Sequence, residues 1–407
     1  MPDSGALPPL AKATVFLAGI AGALIIGLKP ALLSSYVSHA GINEIVAGYL
    51  VSTEVMAALI GTLIVFLRGH IWDRRRILMV GLLALIVANL LSAAANGAVQ
   101  LGCVRFVAGL GEGLTTGLFA AVIAADPKPD RQFGLFTVII LLVAASAYRL
   151  VPFTIHLWGM AGFFGMLSIP PAFALVLSPA VPRRPSMKSA ETNLSERSVD
   201  TFTTPDKTRP SRNTVVVLFC GAVAYYLSAG GVWPYLGQIG ISTGLSAEEV
   251  SRIFANSQVW GAVAAIVPMA VGSRFGRSLP IALSVAIGAA CLLLLIDTRG
   301  EPEVFGLAAQ AFMFGWLLFF PYLMGLTSSL DPLGRLSSLV YTVQNIGFFL
   351  GPILCAQAIL IGGYRAVLWF GVFCFATTLV SLVPLAFKVD RRRSAVTPAR
   401  DWPQTPG

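Results

Sequence analysis

Five ionisable residues, Lys29, Glu54, Arg105, Glu112 and Arg149, interrupt stretches of sequence that are otherwise almost wholly apolar. If those stretches sit in lipid, each such charge costs at least about 2.5 to 3.5 kcal/mol near the bilayer centre, so each needs a reason to be there. Proton exchange is one such reason. Lipid burial favours the neutral form of an acid and a neighbouring cation favours the ionised form, so a carboxyl group between the two can gain and lose a proton as its surroundings alternate between wet and dry. Glu54, beside Arg105, is the first choice for a proton site and Glu112 the second. Lys29 and Arg149 bring the tally to three cations against two acids, and an anionic substrate would neutralise the surplus. The competing reading is a static buried salt bridge that only fixes helix packing.

The elements that hold these residues follow from composition. Only 12% of the 407 residues are charged while 56% are hydrophobic, and the mean hydropathy is +0.79. A helix crosses the hydrocarbon core with about 20 apolar residues, because lipid offers no partners to backbone amides. Twelve stretches qualify, at about 13-36, 44-67, 77-96, 98-123, 132-154, 158-179, 213-236, 246-271, 279-297, 303-328, 334-361 and 365-387. They are continuously apolar and do not alternate every second residue, which excludes a β-barrel. The first is too long for the apolar core of a signal peptide and is kept as a spanning helix. The expected class is an all-α membrane protein. From the rise of about 1.5 Å per residue, Lys29, Glu54, Arg105 and Arg149 fall in the outer half of the bilayer, with Glu112 on the face of Arg105 but roughly 10 Å deeper.

The formal charge of +9 is distributed by side. Most of the 28 Lys and Arg fall in the N-terminal tail, the loops after the second, fourth, eighth and tenth stretches, the central loop and the C-terminal tail, all on one side of the membrane. The positive-inside rule makes that side cytoplasmic, with both termini there, in an inner (plasma) membrane. Nucleic acid is therefore not an expected partner; the lipid bilayer, protons and a small-molecule substrate are. Cys103, Cys220, Cys291, Cys355 and Cys374 all lie within predicted helices without metal-ligand spacing, and read as buried structural thiols; neither metal nor cofactor is expected.

Residues 180-212 are polar and rich in Pro, Ser, Thr and basic residues, the composition of a linker. They divide the chain into an N-terminal six-helix bundle at 1-179 and a C-terminal one at 213-390, followed by a disordered tail at 391-407. The stretch through the second helix aligns with that through the eighth, so that Glu54 faces Gln258 and Gly69 falls within one residue of Gly272. Two pseudo-symmetric bundles of this kind rock about a substrate site near the midplane.

The loop Gly69-His70-Ile71-Trp72-Asp73-Arg74-Arg75-Arg76 resembles the signature between helices 2 and 3 of the major facilitator superfamily, with its usual second glycine missing. The second copy, Gly272-Ser273-Arg274-Phe275-Gly276-Arg277, has lost the acid. Arg105-Phe106-Val107-Ala108-Gly109-Leu110-Gly111-Glu112-Gly113 resembles a second pattern of that superfamily, linked to proton transfer. The resemblance spans the chain and implies a monomeric secondary transporter. An Asp at the membrane edge can dock on a helix N-terminus, so Gly69, Asp73, Arg74 and Arg76 are expected to latch the two halves, with the helix after Asp331-Pro332-Leu333-Gly334-Arg335 as receptor. Lys29, Arg149, Tyr226, Gln258, Gln310, Gln344 and Asn345 are the expected substrate contacts, while Trp233 and Tyr235 read as interfacial belt residues. A proton-coupled organic anion is the leading substrate class. The alternative is proton-antiport export of drugs or amphiphiles, although the fifth stretch, LLVAASAYRLVPF, lacks the glycine motif of such exporters. An integral membrane enzyme is the remote alternative, because His39, His70 and His156 are scattered; no phosphate-binding loop for an ATP-driven pump occurs.

Overall fold

A computed structural model of the chain describes residues 8–69, 71–126, 129–183, 210–272, 274–298, 300–331 and 335–396. Ten α-helices account for most of them: α1 (Pro9–Ser38), α2 (Glu44–Arg68), α3 (Arg74–Ala93), α4 (Ala98–Ile123), α5 (Pro129–Leu177), α6 (Arg212–Ser242), α7 (Ala247–Val271), α8 (Ser278–Ile296), α9 (Pro302–Leu330) and α10 (Arg335–Val396). All ten are long and apolar enough to cross a membrane, so the protein is a multi-pass membrane protein.

The boundaries have local causes. Asn43 caps α2 through Ile45 N, Ser211 caps α6 through Thr214 N, and Ser246 forms a reciprocal capping box with Glu249 at α7. Helices α5 and α10, at 49 and 62 residues, are each more than twice the length that one membrane crossing needs. Both are broken near the middle. Gly159 adopts φ 56° and ψ −138°, and Gly363 φ 63° and ψ −157°, backbone conformations open to glycine and strained for other residues.

Helices α1 to α5 pack chiefly on one another, as do α6 to α10; the two groups meet along α5 and α7, α2 and α10, and α1 and α6. Lys12 at the start of α1 pairs with Asp126 after α4 at 2.7 Å, and Arg74 N at the start of α3 donates to Arg183 O. The start of α8 is likewise bonded to Asp390 near the end of α10. Within each group these contacts bring the described helix ends beside the basic loops together at one end, called here the basic face.

The first residues of the expected linker are ordered against α3, where the Arg75 side chain donates to the carbonyls of Pro179 and Val181. The stretch 184–209 lies outside the described residues. Helix α10 runs to Val396 and so enters the stretch expected to be a disordered tail, of which 397–407 lies outside the described residues. Cys103 and Cys220 are exposed on the helix surface, which corrects the expectation of five buried thiols; Cys291, Cys355 and Cys374 are buried.

Candidate functional site

The glycines of α4 let three helices converge on its charged face. A side chain at Gly109 would collide with the carbonyl of Glu54 and one at Gly113 with that of Ala58, both on α2. On the α3 side, a Cβ at Gly111 would stand 2.7 Å from Gly81 O. Close approach needs small residues at these contacts. It brings the side chains of Glu54, Asn89 and Glu112 to Arg105.

Arg105 is the hub. One guanidinium nitrogen pairs with Glu54 Oε1 and also lies 3.6 Å from Glu112 Oε1; the other donates to Asn89 Oδ1 at 2.8 Å. The guanidinium stands 5.3 Å from the centre of the Phe164 ring. Arg105 and Glu54 are each only 1% exposed. Buried Tyr36 on α1 completes the surroundings. Glu112 reaches Arg105 across two helical turns, so the 10 Å of helix rise that separates them in sequence is spanned by the side chains, and the two act as one site. Lys29 on α1 is also buried and interacts electrostatically with Glu112.

Lys29 makes no hydrogen bond or ion pair with a described residue. Its ammonium lies 5.4 Å from the centre of the Phe348 ring on α10, across the junction between the two helix groups.

Arg149 does not belong to this network. It is exposed on α5 and donates to Asn256 Oδ1 of α7 at 2.8 Å. That corrects the sequence expectation and its charge tally: the buried site holds two cations, Lys29 and Arg105, and two acids, Glu54 and Glu112. The direction in which Arg149 points around α5 could not be read from its place along the sequence.

The second helix group faces the site with aromatic and neutral polar side chains. Gln258 is fully buried, and its Nε2 donates to Gly27 O at 3.3 Å, two residues from Lys29, while its Oε1 has no partner. Gln344 Oε1 is also buried without a partner; Asn345 next to it and Gln310 on α9 are half-buried. Tyr226 is fully buried against Tyr225, Phe319 and Phe348. Trp233 and Tyr235, read as belt residues, are instead 0% exposed: Trp233 packs among Phe254, Phe312 and Trp316, and Tyr235 OH reaches Pro352 O and Glu44 O. Proximity to a helix end misled that assignment, because α6 turns Trp233 toward α7 and α9 and Tyr235 toward α2 and α10, and neither toward lipid.

Every hydrogen bond between described residues of the two groups lies at mid-depth or toward the face opposite the basic one. Besides Gln258–Gly27 and Arg149–Asn256 these are Ser251 Oγ to Tyr148 O at 2.6 Å, Tyr235 OH to Glu44 O at 3.5 Å, and Gln357 Nε2 to Tyr49 OH. Helix α4 makes no extended contact with the second group.

At the basic face, Asp73 caps its own helix: Oδ1 accepts from Arg75 N at 2.9 Å and Arg76 N at 3.3 Å, and Arg76 lies 3.9 Å from Oδ2. Gly69 closes α2 in ordinary right-handed geometry, with its N–H on Val65 O. The stretch 332–334, through which the chain enters the latch receptor, lies outside the described residues. In the second copy, where the loop has lost its acid, Asp390 Oδ2 accepts from Arg277 N and Ser278 N, each at 2.8 Å. The acid lost from the second copy's loop is replaced, as a helix cap, from the last helix, a long-range substitution that local motif reading cannot detect.

No family model matches the chain, and no curated protein matches it in sequence. Among solved structures it is similar to the xylose transporter XylE from E. coli in an inward-open conformation (14% identity, 91% of this chain and 95% of that one, TM-score 0.69). It is also similar to a D-xylose-proton symporter (16% identity, 91% and 96%, TM-score 0.65) and to a structure of proton-dependent oligopeptide transporters (13% identity, 93% and 99%, TM-score 0.71). The chain has the fold of the major facilitator transporters.

Proposed function

We propose that the protein is a proton-coupled secondary transporter of a small organic anion, working by alternating access in a cytoplasmic (inner) membrane. The observation that carries this reading is the balanced, buried set Lys29, Glu54, Arg105 and Glu112, with Lys29 reaching the junction between the helix groups. The transporters with which the chain shares its fold include proton-coupled ones, which supports the same reading.

Glu54 is held by the Arg105 pair inside the first group, whereas Glu112 stands between Arg105 and Lys29. We therefore assign the exchangeable proton to Glu112 and a charge-holding role to Glu54. A proton on Glu112 leaves the site with one positive charge in excess, and Lys29 then attracts an anion. Loss of the proton restores the balance and expels the anion. Lone charges in a low-dielectric site are costly, so proton and anion travel together. Gln258, Gln310, Gln344, Asn345 and Tyr226 face the substrate body from the second group.

The breaks at Gly159 and at Gly362 and Gly363 make α5 and α10 two crossings each, giving twelve passes in two six-helix bundles, and the protein works as a monomer. The basic face is cytoplasmic by the positive-inside rule. The described inter-group hydrogen bonds lie at mid-depth or toward the opposite face, which supports an outer seal in this state. Asp73, which caps α3 in this state, swings with Gly69, Arg74 and Arg76 to latch the cytoplasmic ends when that side closes.

The test is accumulation of radiolabelled small carboxylates in proteoliposomes under an imposed pH gradient, with protein-free liposomes as the blank. Uptake that follows the proton gradient is expected. Uptake of none of the anions, with gradient-driven expulsion of cationic dyes instead, would establish the export reading in its place.

A further inference from the structure

Several buried groups at the junction have hydrogen-bonding capacity that the protein does not use. Lys29 Nζ, on a residue 4% exposed, forms no hydrogen bond or ion pair with a described residue. Gln258 and Trp233 are both 0% exposed, yet Gln258 Oε1 and Trp233 Nε1 are unpartnered, as is Gln344 Oε1. A buried polar atom left without a hydrogen bond is costly, so three such atoms together with an ammonium that has no ion pair among the described residues mark a place where something else binds.

Their arrangement has a chemical character. Gln344 and Phe348 lie one turn apart on α10 and so share a face. Phe348 carries the Lys29 ammonium at 5.4 Å from its ring centre and meets Trp316 edge-on at 5.6 Å; Trp316 meets Trp233 in the same way at 6.0 Å. Gln258, hydrogen-bonded to Gly27 on the helix of Lys29, places a second free carbonyl oxygen against α1 beside Gly27. One cation, a wall of aromatic rings, two free acceptors and one free indole donor are thus assembled from α1, α6, α7, α9 and α10.

We propose that this junction is the substrate site, and that its substrate is a planar aromatic carboxylate bearing a hydroxyl or amino group. The carboxylate takes the place of a counter-ion for Lys29, the ring lies against Phe348 and Trp316, and the hydroxyl or amino hydrogen is received by Gln344 Oε1 or Gln258 Oε1. Aromatic pairs prefer offset or edge-on contact and discriminate against a saturated ring of the same outline. This rests on the organic-anion reading given above and narrows it.

The experiment is ligand-induced thermal stabilisation of the purified full-length protein, converted to apparent Kd, with four probes: benzoate, 4-hydroxybenzoate, cyclohexanecarboxylate and benzylamine. Benzoate should bind roughly three- to tenfold more tightly than cyclohexanecarboxylate, the factor that an aromatic contact is worth. The hydroxyl should add about fivefold more, the worth of one hydrogen bond to a free acceptor. Lys29→Met should abolish binding of all three acids, and Phe348→Leu should erase the preference for the unsaturated ring while leaving carboxylate binding in place. Equal binding of benzoate and cyclohexanecarboxylate to the wild type would overturn the aromatic site and leave the anion reading standing. Stabilisation by benzylamine alone would overturn both, and no stabilisation by any probe would overturn the site.

Discussion

The stretches 8–183 and 210–396 are built on similar helices but bury opposite chemistry, and Lys29 is where the charged set of the first reaches the second. The first contributes Lys29, Glu54, Arg105 and Glu112, all buried; the second answers with Phe348, Trp316, Trp233, Gln258 and Gln344. The same contrast recurs at the basic face. The first stretch caps α3 with its own Asp73, whereas the second has lost that acid and caps α8 with Asp390 from the far end of its sequence. A repeated fold, then, preserves the geometric requirement and lets the residue that meets it change place. It also allows one copy to specialise in charge and the other in shape.

The largest effect that would break this contrast comes from Arg105. Arg105→Leu leaves Glu54 and Glu112 buried without their shared cation, and removing one partner of such a set costs about 3 to 5 kcal/mol. Folded yield and melting temperature in detergent should both collapse. The double variant Glu54→Leu with Arg105→Leu should recover part of the loss, because the two residues are directly coupled. A single variant as stable as the wild type would mean that the first stretch does not depend on its charges.

Packing comes next. Gly111→Val on α4 forces a side chain into the α3 carbonyl of Gly81, and overpacking of this kind costs about 1 to 3 kcal/mol. Melting should fall by less than for Arg105→Leu. The two caps then sharpen the comparison between the stretches. Asp73→Ala and Asp390→Ala should each cost about 1 kcal/mol, the worth of an N-cap, although the two residues occupy unrelated places in the sequence. A stability loss for Asp73→Ala alone would show that Asp390 is not the second copy's cap. Smallest is Arg149→Gln: an exposed residue hydrogen-bonded to Asn256 should leave the melting temperature within scatter and gradient-driven uptake near wild type.

Much of this organisation was legible in the sequence. The apolar runs marked the helices and the intramembrane charges marked the network, because lipid makes both unambiguous: neither an unpaired backbone nor a lone charge is tolerated there. Glu54, Arg105 and Glu112 were singled out by that cost alone. What failed was rotation about the helix axis. Depth counted along the helices groups Arg149 with the others and Trp233 and Tyr235 with belt residues, yet Arg149 points elsewhere and the two rings point inward. Asn89, Tyr36, Phe164 and Phe348 escaped notice because an amide or a ring within a helix carries no cost that advertises a role. Asp390 could not be assigned from its neighbours, because its partners are more than a hundred residues away.

The assignment of the moving proton to Glu112 is reached most directly through Glu112→Gln in proteoliposomes, with labelled 4-hydroxybenzoate followed under a pH gradient and, separately, in exchange against the unlabelled acid without one. The neutral amide mimics the protonated state, so exchange should persist near the wild-type rate while gradient-driven accumulation disappears. Accumulation that still tracks the proton gradient in the variant would contradict the account.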